Sequence, residues 1–178
     1  ECGYPSVFRL SDPEETDVAM KLYHIEGTPA DTFLKMTGYQ PMQKCLFLGL
    51  TDGERGYSRN VNRKIRQICR KHGAFNISFA PVVSNWEKGR FRDPYMREDL
   101  EDFGILIDTL ECAVTWSQMK EVHAKVRGFV KNRPNTVCMT HLSHAYPQGG
   151  NLYFIFIGKI ATIKEYLDFQ YGILSAIQ

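Results

Sequence analysis

The longest strand-like stretch of the sequence, residues 105–114, carries two carboxylates, Asp108 and Glu111, among apolar side chains. Its length and apolar character predict a β-strand. A strand that is buried on both faces tolerates carboxylates only when other groups pair with them. Arg92 and Arg97 come shortly before this strand and are candidate partners. The pattern therefore indicates either ion pairs inside the fold or a site that binds a ligand.

Hydrophobic periodicity and helix-capping residues predict the order of the remaining elements. Asp12, followed by Pro13, is a helix cap, and Thr115–Gln118 and Thr162–Glu165 have the spacing of capping boxes. Gly149-Gly150 predicts the turn of a hairpin. In chain order we predict a strand at 5–10, helices from 12 and at 31–38, a strand at 45–50, a helix at 54–71, a brief strand at 75–79, helical pieces within 82–95, the strand at 105–114, a helix from 116, strands at 137–143 and 151–157, and a helix from 162.

This order of elements predicts an α+β fold in which helices cover one face of a mostly antiparallel sheet. A chain of 178 residues is long enough for one substantial core, or for two small subdomains that share a sheet. The order is also compatible with a distant duplication of a split βαβ unit.

Composition excludes several classes of protein. A net charge of +2 is too small to indicate a nucleic-acid-binding protein, and no apolar run approaches the roughly 20 residues of a membrane helix. The five cysteines are widely spaced and form no CxxC pair, which favours a soluble protein in a reducing, intracellular setting, without bound zinc or disulfides. Because the sequence opens on Glu1 and its last helical pattern reaches Gln178 without a stop signal, we expect a piece of a longer protein.

Tyr153 is a candidate for acid–base chemistry. It lies at the start of a predicted strand whose alternate residues are apolar, so a structural tyrosine with a hydrogen-bonded hydroxyl is one interpretation. A phenol can also donate or accept a proton when a neighbouring charge tunes it. The residues alone leave both roles open.

Two histidines and one arginine are candidates for polar contacts near that strand. On a regular strand His141 and His144 point to opposite faces, so they cannot bind one metal ion together. One of them could form hydrogen bonds beside a polar pocket. Arg9 lies among apolar residues of the first strand, which indicates a buried charge with a partner. Asp108 or Glu111 could be the partner of any of the arginines.

A second cluster of arginines recurs at helical spacing on one side of the helix predicted at 54–71. Such a stripe is either a solvated helix face or a surface that faces an anionic membrane or a partner domain. Its members are Arg55, Arg59, Arg63, Arg66 and Arg70.

Taken together, these segments resemble the C-terminal cap (substrate) domain of FAD-linked oxidases of the vanillyl-alcohol-oxidase type. The resemblance covers nearly the whole chain. Its most specific parts are Arg-Asp-Pro-Tyr-Met-Arg at 92–97, Asp-Thr-Leu-Glu-Cys-Ala-Val-Thr-Trp at 108–116 and Leu-Tyr-Phe at 152–154.

The resemblance implies a duplicated ferredoxin-like α+β fold for residues 1–178. It also implies that a separate N-terminal domain of the same parent protein binds FAD and that the cap closes over the flavin. Neither that domain nor the histidine-rich run that the family places after the last helix is present in this sequence. We therefore expect the isolated chain to be an inactive fragment that binds flavin weakly if at all.

Residues 108–116 resemble the ether-lipid branch of the family most. In that branch the acyl chain of acyl-dihydroxyacetone phosphate is exchanged for a fatty alcohol, with the flavin as a covalent carrier. The resemblance implies that Tyr153 moves a proton at the substrate carbon next to the carbonyl and that Arg97 and Arg9 hold phosphate or carboxylate. We assign His144 and Glu111 to substrate binding as well, and we expect no metal.

Two alternatives remain open at this point. The chain could be the cap of an FAD-dependent dehydrogenase or oxidase that acts on a 2-hydroxy acid such as D-lactate or glycolate, so that the substrate is a small organic acid instead of a lipid. It could also be a stand-alone α+β module that binds a ligand or dimerises. A peripheral membrane contact and a homodimer are compatible with either reading.

Overall fold

The computed structural model describes residues 3–76, 86–89, 91 and 95–178, with the side chain of Met96 left out. Residues 86–89 form a short helical stretch. The strands are β1 (Val7–Ser11), β2 (Leu46–Leu50), β3 (Ile105–Thr115), β4 (Val137–Ala145) and β5 (Gly149–Lys159). The longer helices are α1 (Pro13–Leu22), α2 (Pro29–Met36), α3 (Arg55–Lys71), α4 (Met96–Glu101), α5 (Met119–Lys131) and α6 (Ile163–Ile177).

The five strands form one antiparallel sheet in the order β2-β1-β4-β5-β3. β3, β4 and β5 pair along most of their lengths, whereas β1 meets β4 only through Leu10 opposite Leu142 and Ser11 opposite His141. The sheet is therefore a long three-stranded part and a short two-stranded part joined by a narrow contact. The predicted α+β class and antiparallel sheet are confirmed.

The core lies between one face of the long part and the two helices α5 and α6. Alternate residues of β5 point into it, and Phe154 and Phe156 are almost completely buried. Val122, Val126 and Val130 recur every four residues and form the buried stripe of α5. Burial of each such large side chain contributes roughly 1.5–3 kcal/mol. The opposite face of the sheet, called the open face below, has neither α5 nor α6 on it.

α1 begins directly after the end of β1, next to β4. As predicted, Asp12 caps the helix, since its side chain accepts a hydrogen bond from the Glu15 amide at 2.8 Å. The Asp12 amide donates to the Thr140 carbonyl at 2.8 Å and so anchors the helix start to β4. Glu14 then meets the basic side chain of Lys131 on α5 at 3.0 Å, whereas Glu15 reaches the open face.

The premise that the strand with Asp108 and Glu111 is buried on both faces is wrong. β3 is an edge strand, and its odd-numbered residues from 109 to 115 are exposed. Asp108 points to the helix-covered face, where it accepts hydrogen bonds from the Tyr166 hydroxyl and the Gln170 amide of α6. Its partners are therefore neutral groups and not an arginine. Glu111 is exposed on the open face and needs no buried cation.

Two turn predictions also need correction. Gly149 and Gly150 lie inside β5, and the turn of the hairpin is at residues 146–148. A Cβ atom on Gly149 would lie 2.0 Å from the Val114 carbonyl oxygen, so glycine is required there because β3 approaches closely. The capping box predicted at Thr115 does not form, because that residue ends β3 and α5 starts only at Met119.

The other capping box is confirmed, because the Thr162 hydroxyl accepts a hydrogen bond from the Glu165 amide at 3.1 Å. The brief strand predicted at 75–79 and the helical pieces at 82–95 fall largely outside the described residues. Arg92 lies outside them as well.

Candidate functional site

A row of directly paired residues crosses the open face. Glu111 of β3 is opposite Tyr153 of β5, Tyr153 is opposite His141 of β4, and His141 is opposite Ser11 of β1. Directly paired residues of antiparallel strands project from the same side of a sheet. Because both sequence neighbours of Tyr153 are core residues, this row must lie on the face away from α5 and α6.

His141 is the residue that connects the row to charged groups. Its ring stacks on the Tyr153 ring with centroids 4.9 Å apart and an interplanar angle of 21°. Its Nδ1 atom lies 3.0 and 3.1 Å from the two carboxylate oxygens of Glu15. A carboxylate only accepts hydrogen bonds, so Nδ1 of His141 carries the proton and donates it. The ring is thereby fixed against the phenol of Tyr153.

Arg9 completes this network from β1. Its guanidinium group donates to Oε1 of Glu15, whose side chain is only 5% exposed. Arg9 therefore has a partner, as its position among apolar residues predicted, but it is only partly buried. Its partner is a residue of the following helix and not Asp108 or Glu111. We call Arg9, Glu15 and His141 the charged network below.

The electrostatic balance at Glu15 favours its ionised form. Burial, the largest single effect, raises the pKa of Glu15, but the hydrogen bond from His141 and the positive charges of His141 and Arg9 together outweigh it. The pKa of Glu15 therefore lies below its usual value. At neutral pH the carboxylate is an anion that holds both basic side chains in place.

His144 reaches the same face through an irregularity in β4. The register shifts between Leu142 and His144, and His144 is opposite Asn151 instead of the residue that a regular ladder would give. A bulge of this kind inserts one unpaired residue and changes which face the following residues occupy. The prediction that His141 and His144 point to opposite faces is therefore wrong, because it assumed a regular strand. Within the described part of the chain, no group of three or more His, Cys, Asp and Glu side chains is arranged to hold a metal ion.

A polar cluster surrounds Glu111 at the β3 end of the row. The Asn151 amide donates to Oε1 of Glu111, and the Ser143 hydroxyl donates to the same oxygen at 3.4 Å. Nδ1 of His144 lies 3.0 Å from the Ser143 hydroxyl. These side chains are exposed or half-buried, so their remaining hydrogen-bonding capacity is available to a ligand.

The fifth predicted site residue, Arg97, is not brought into contact with the row. It lies on α4, is 55% exposed and pairs with Glu101 one turn later, with 3.3 Å between Nε and Oε1. Its charge acts on Tyr166 of α6, where it opposes the rise in pKa that Asp108 produces. The structure thus gathers Tyr153, Arg9, Glu111 and His144 on one face, and places Arg97 beside the α6 side of β3.

Two residues of the site carried no assigned role from the sequence. Glu15 has the sequence position of an ordinary acidic residue in the first turn of a helix, where it suits the helix dipole. For His141 the sequence predicts only that either it or His144 forms hydrogen bonds beside a polar pocket. The local pattern holds no signal that would join them, since they are 126 positions apart in the chain.

The fold places this chain among the C-terminal domains of FAD-linked oxidases. The chain belongs to the family described as FAD linked oxidases, C-terminal domain, which matches residues 3–176. The resemblance inferred from the sequence is thereby confirmed. Members of this family are C-terminal domains of two-domain FAD-linked enzymes, which implies FAD as the cofactor and an N-terminal FAD-binding domain as a partner.

The chain is similar to alkyldihydroxyacetonephosphate synthases. Alkyldihydroxyacetonephosphate synthase from Dictyostelium discoideum is 26% identical over 175 residues, which cover 90% of this chain and 28% of that protein. Two solved crystal forms of alkyldihydroxyacetonephosphate synthase match with TM-scores of 0.80 and 0.78, at 23% and 24% identity, over 97% of this chain. The chain spans about a third or less of the length of these relatives. None of the described helices is long and apolar enough to cross a lipid bilayer.

Proposed function

We propose that this chain is the cap over the flavin of an alkyldihydroxyacetonephosphate synthase, and that Tyr153 is its catalytic residue. The observation that carries the proposal is the position of Tyr153 in the middle of the open face, against the charged network. The named relatives support the choice of reaction, which is the exchange of an acyl chain for a fatty alcohol on dihydroxyacetone phosphate in ether-lipid synthesis.

The open face fits the role of a lid better than that of a complete cofactor site. It offers a phenol ring, an imidazole ring and hydrogen-bonding groups on a sheet surface, which suit contact with a planar ring and its substrate. The sequence contains no glycine-rich loop of the kind that cradles a pyrophosphate. The N-terminal domain of the parent protein would therefore hold FAD, and this chain would complete the site from above.

The bound flavin would supply the covalent carrier for the exchange, so that the reaction has no net redox change. Tyr153 would move the proton at the substrate carbon next to the carbonyl, a role that a positioned phenol can fill. The stack with His141 holds the phenol ring in one orientation, and Glu15 in turn fixes His141. Positioning of this kind lowers the cost of reaching a reactive geometry.

The polar groups beside Tyr153 would bind the substrate. Arg9 uses one of its five N–H groups on Glu15 and can direct others at a phosphate or carboxylate. At the other end of the row, Glu111 would accept a hydrogen bond from a substrate hydroxyl, and His144 would bind a hydroxyl or phosphate group. Arg97 enters the proposal through the family resemblance alone, as a second holder of the anion.

The experiment that tests the proposal is Tyr153→Phe in the full-length, FAD-loaded parent protein. The change removes one hydroxyl and keeps the stacked ring, so FAD content and melting temperature should stay as in the wild type. The rate of exchange of the acyl chain for a labelled fatty alcohol should fall by about 100-fold or more, the usual contribution of a general acid or base.

Tyr171→Phe is the matched control, because Tyr171 is 67% exposed on α6 and outside the site. It should have the wild-type rate. An unchanged rate in Tyr153→Phe would remove Tyr153 from the mechanism. Anaerobic bleaching of the flavin by a D-2-hydroxy acid, with no alkyl exchange, would instead assign the parent protein to the oxidising branch of the family.

A further inference from the structure

The exchange of an acyl chain for a fatty alcohol moves two protons. One lies on the substrate carbon next to the carbonyl, and Tyr153 is its proposed acceptor. The other lies on the hydroxyl group of the incoming alcohol, which becomes a better nucleophile when a base takes that proton. A phenol oxygen that already holds the carbon proton cannot accept a second one. The reaction therefore calls for another base beside Tyr153.

His141 has one ring nitrogen engaged by the fold and one that is free to act as a base. Nδ1 donates to the two carboxylate oxygens of Glu15 at 3.0 and 3.1 Å. Only one nitrogen of a neutral imidazole carries a proton, so Nε2 of neutral His141 is a bare acceptor. An acceptor nitrogen on a ring that its surroundings hold in place is what general base catalysis requires.

Nε2 of His141 is also accessible. Over the ranges that the structure describes, the Thr140 hydroxyl oxygen is the only fully enclosed side-chain nitrogen or oxygen atom without a hydrogen-bond partner. Both hydrogen bonds of the His141 side chain to described residues use Nδ1. Because Nε2 has no such bond and is not enclosed, a molecule on the open face can reach it. The His141 ring also stacks on Tyr153 with centroids 4.9 Å apart, so one substrate can contact both side chains.

The charges around His141 favour both its neutral and its protonated form at the appropriate moment. Arg9 pairs with Glu15 as well, so the carboxylate keeps a positive partner when His141 is neutral. When Nε2 gains a proton, the imidazolium is attracted by Glu15, whose side chain is only 5% exposed and is therefore weakly screened. A buried carboxylate that orients an imidazole and stabilises its charged form also makes histidine an effective base in serine hydrolases.

We propose that His141 is the base that takes the hydroxyl proton of the incoming fatty alcohol, an inference that rests on the proposed function. The alcohol oxygen forms a bond to the substrate carbon that carried the acyl group. The bond from that carbon to the flavin carrier breaks, and its electron pair returns to the carrier. The hydroxyl proton moves to Nε2 and then to water. The acyl chain leaves as a carboxylate, so each ether formed releases one proton and consumes no oxidant or reductant.

The test measures the two halves of the exchange separately in the full-length, FAD-loaded parent protein. Single-turnover release of labelled fatty acid without alcohol reports the step assigned to Tyr153, and transfer to a labelled alcohol reports the step assigned to His141. The variant His141→Asn keeps an amide N–H that can donate to Glu15 but has no Nε2. Its alkyl transfer should fall about 100-fold or more, the usual contribution of a general base, whereas fatty-acid release should fall far less.

A 2,2-difluoro fatty alcohol gives a readout that a purely structural role would not change. Its hydroxyl group is more acidic and depends less on a base, so His141→Asn should lose much less rate with it than with the ordinary alcohol. Equal losses with the two alcohols would mean that His141 only positions Tyr153, and would overturn the proposal. His72→Asn is the matched control, because His72 is exposed directly after α3 and should leave both rates unchanged.

A measurement on the protein alone tests the tautomer. Long-range ¹H–¹⁵N NMR of the 178-residue chain should show that neutral His141 carries its proton on Nδ1, and a proton on Nε2 instead would overturn the proposal. The proposed function fails on a different result, which is wild-type release of fatty acid by Tyr153→Phe. Equal losses of fatty-acid release and alkyl transfer in His141→Asn would overturn only the role of His141 as a base.

Discussion

Glu15→Gln is the most direct perturbation of the charged network. The substitution keeps the shape of the side chain but removes the charge that Arg9 and His141 share, on a residue whose side chain is 5% exposed. Removing one partner of a buried ion pair costs about 3–5 kcal/mol when the remaining charge is stranded. Here the cost is smaller, because the amide oxygen of glutamine still accepts one hydrogen bond and Arg9 is 25% exposed to water. We expect a loss of about 2–3 kcal/mol.

Thermal unfolding followed by circular dichroism measures this loss. For a chain of this size, each 1 kcal/mol lowers the melting temperature by roughly 2–4 °C, so the variant should melt about 4–12 °C below the wild type at pH 7. Glu121→Gln is the matched control. Glu121 also lies in the first turn of its helix, so it carries the same dipole contribution, but its pair with Lys125 is exposed. That variant should lose no more than about 0.5 kcal/mol.

The difference in stability between Glu15→Gln and the wild type should decrease as the pH falls. The pKa of Glu15 is lower in the folded protein than the ordinary value of 4.5. Its ionisation therefore contributes stability that is fully present above pH 4.5 and is lost as the pH falls through the folded pKa. The gap in melting temperature should be widest near pH 7 and should narrow as the pH falls below 4.5. A gap that stays constant over this range, or no gap at pH 7, would refute the charged network as described.

Two further predictions concern packing and the helix-covered face. Gly172→Ala should destabilise the chain by about 1–2 kcal/mol, because the new methyl group would lie 2.0 Å from the Phe129 ring. Gly128→Ala, whose new methyl group would have nothing within 4 Å, should instead stabilise the chain by about 0.5–1 kcal/mol. Urea unfolding measures both changes, and two changes of the same sign would contradict this packing. Asp108→Asn should lower the pKa of Tyr166 toward its ordinary value, because the hydrogen bond to Asp108 is the main cause of its raised pKa. NMR titration of the tyrosine rings in the variant and the wild type measures the shift, and an unchanged pKa of Tyr166 would disprove the contact.

The order of elements and most of the core were predictable because they depend on local patterns. The period-two alternation in β5 and the four-residue recurrence of Val122, Val126 and Val130 each fix which side of an element is buried. The caps Asp12 and Thr162 act on amides three residues away. None of these features requires knowledge of which elements are neighbours in space.

The environment of Asp108 and Glu111 was not predictable in this way. Whether a strand lies at the centre or the edge of a sheet depends on the strand order, which the sequence of one strand does not encode. β3 is last in the order, next to β5 alone. This position leaves Glu111 in contact with water and lets α6 supply the partners of Asp108.

The pairing that creates the site depends on where one turn is centred. Ala145 pairs with Gly150, so the turn is centred between Pro147 and Gln148, and the bulge between Leu142 and His144 then shifts the register by one residue and places His141 opposite Tyr153. A turn centred on Gly149-Gly150 would have paired Tyr153 with Tyr146 and left His141 with no place in the site. Glycine in this segment serves a different need, the close approach of β3. The glycines are therefore explained by the approach of β3, whereas the hairpin register concerns β4 and β5. The two could be told apart only once the position of β3 was known.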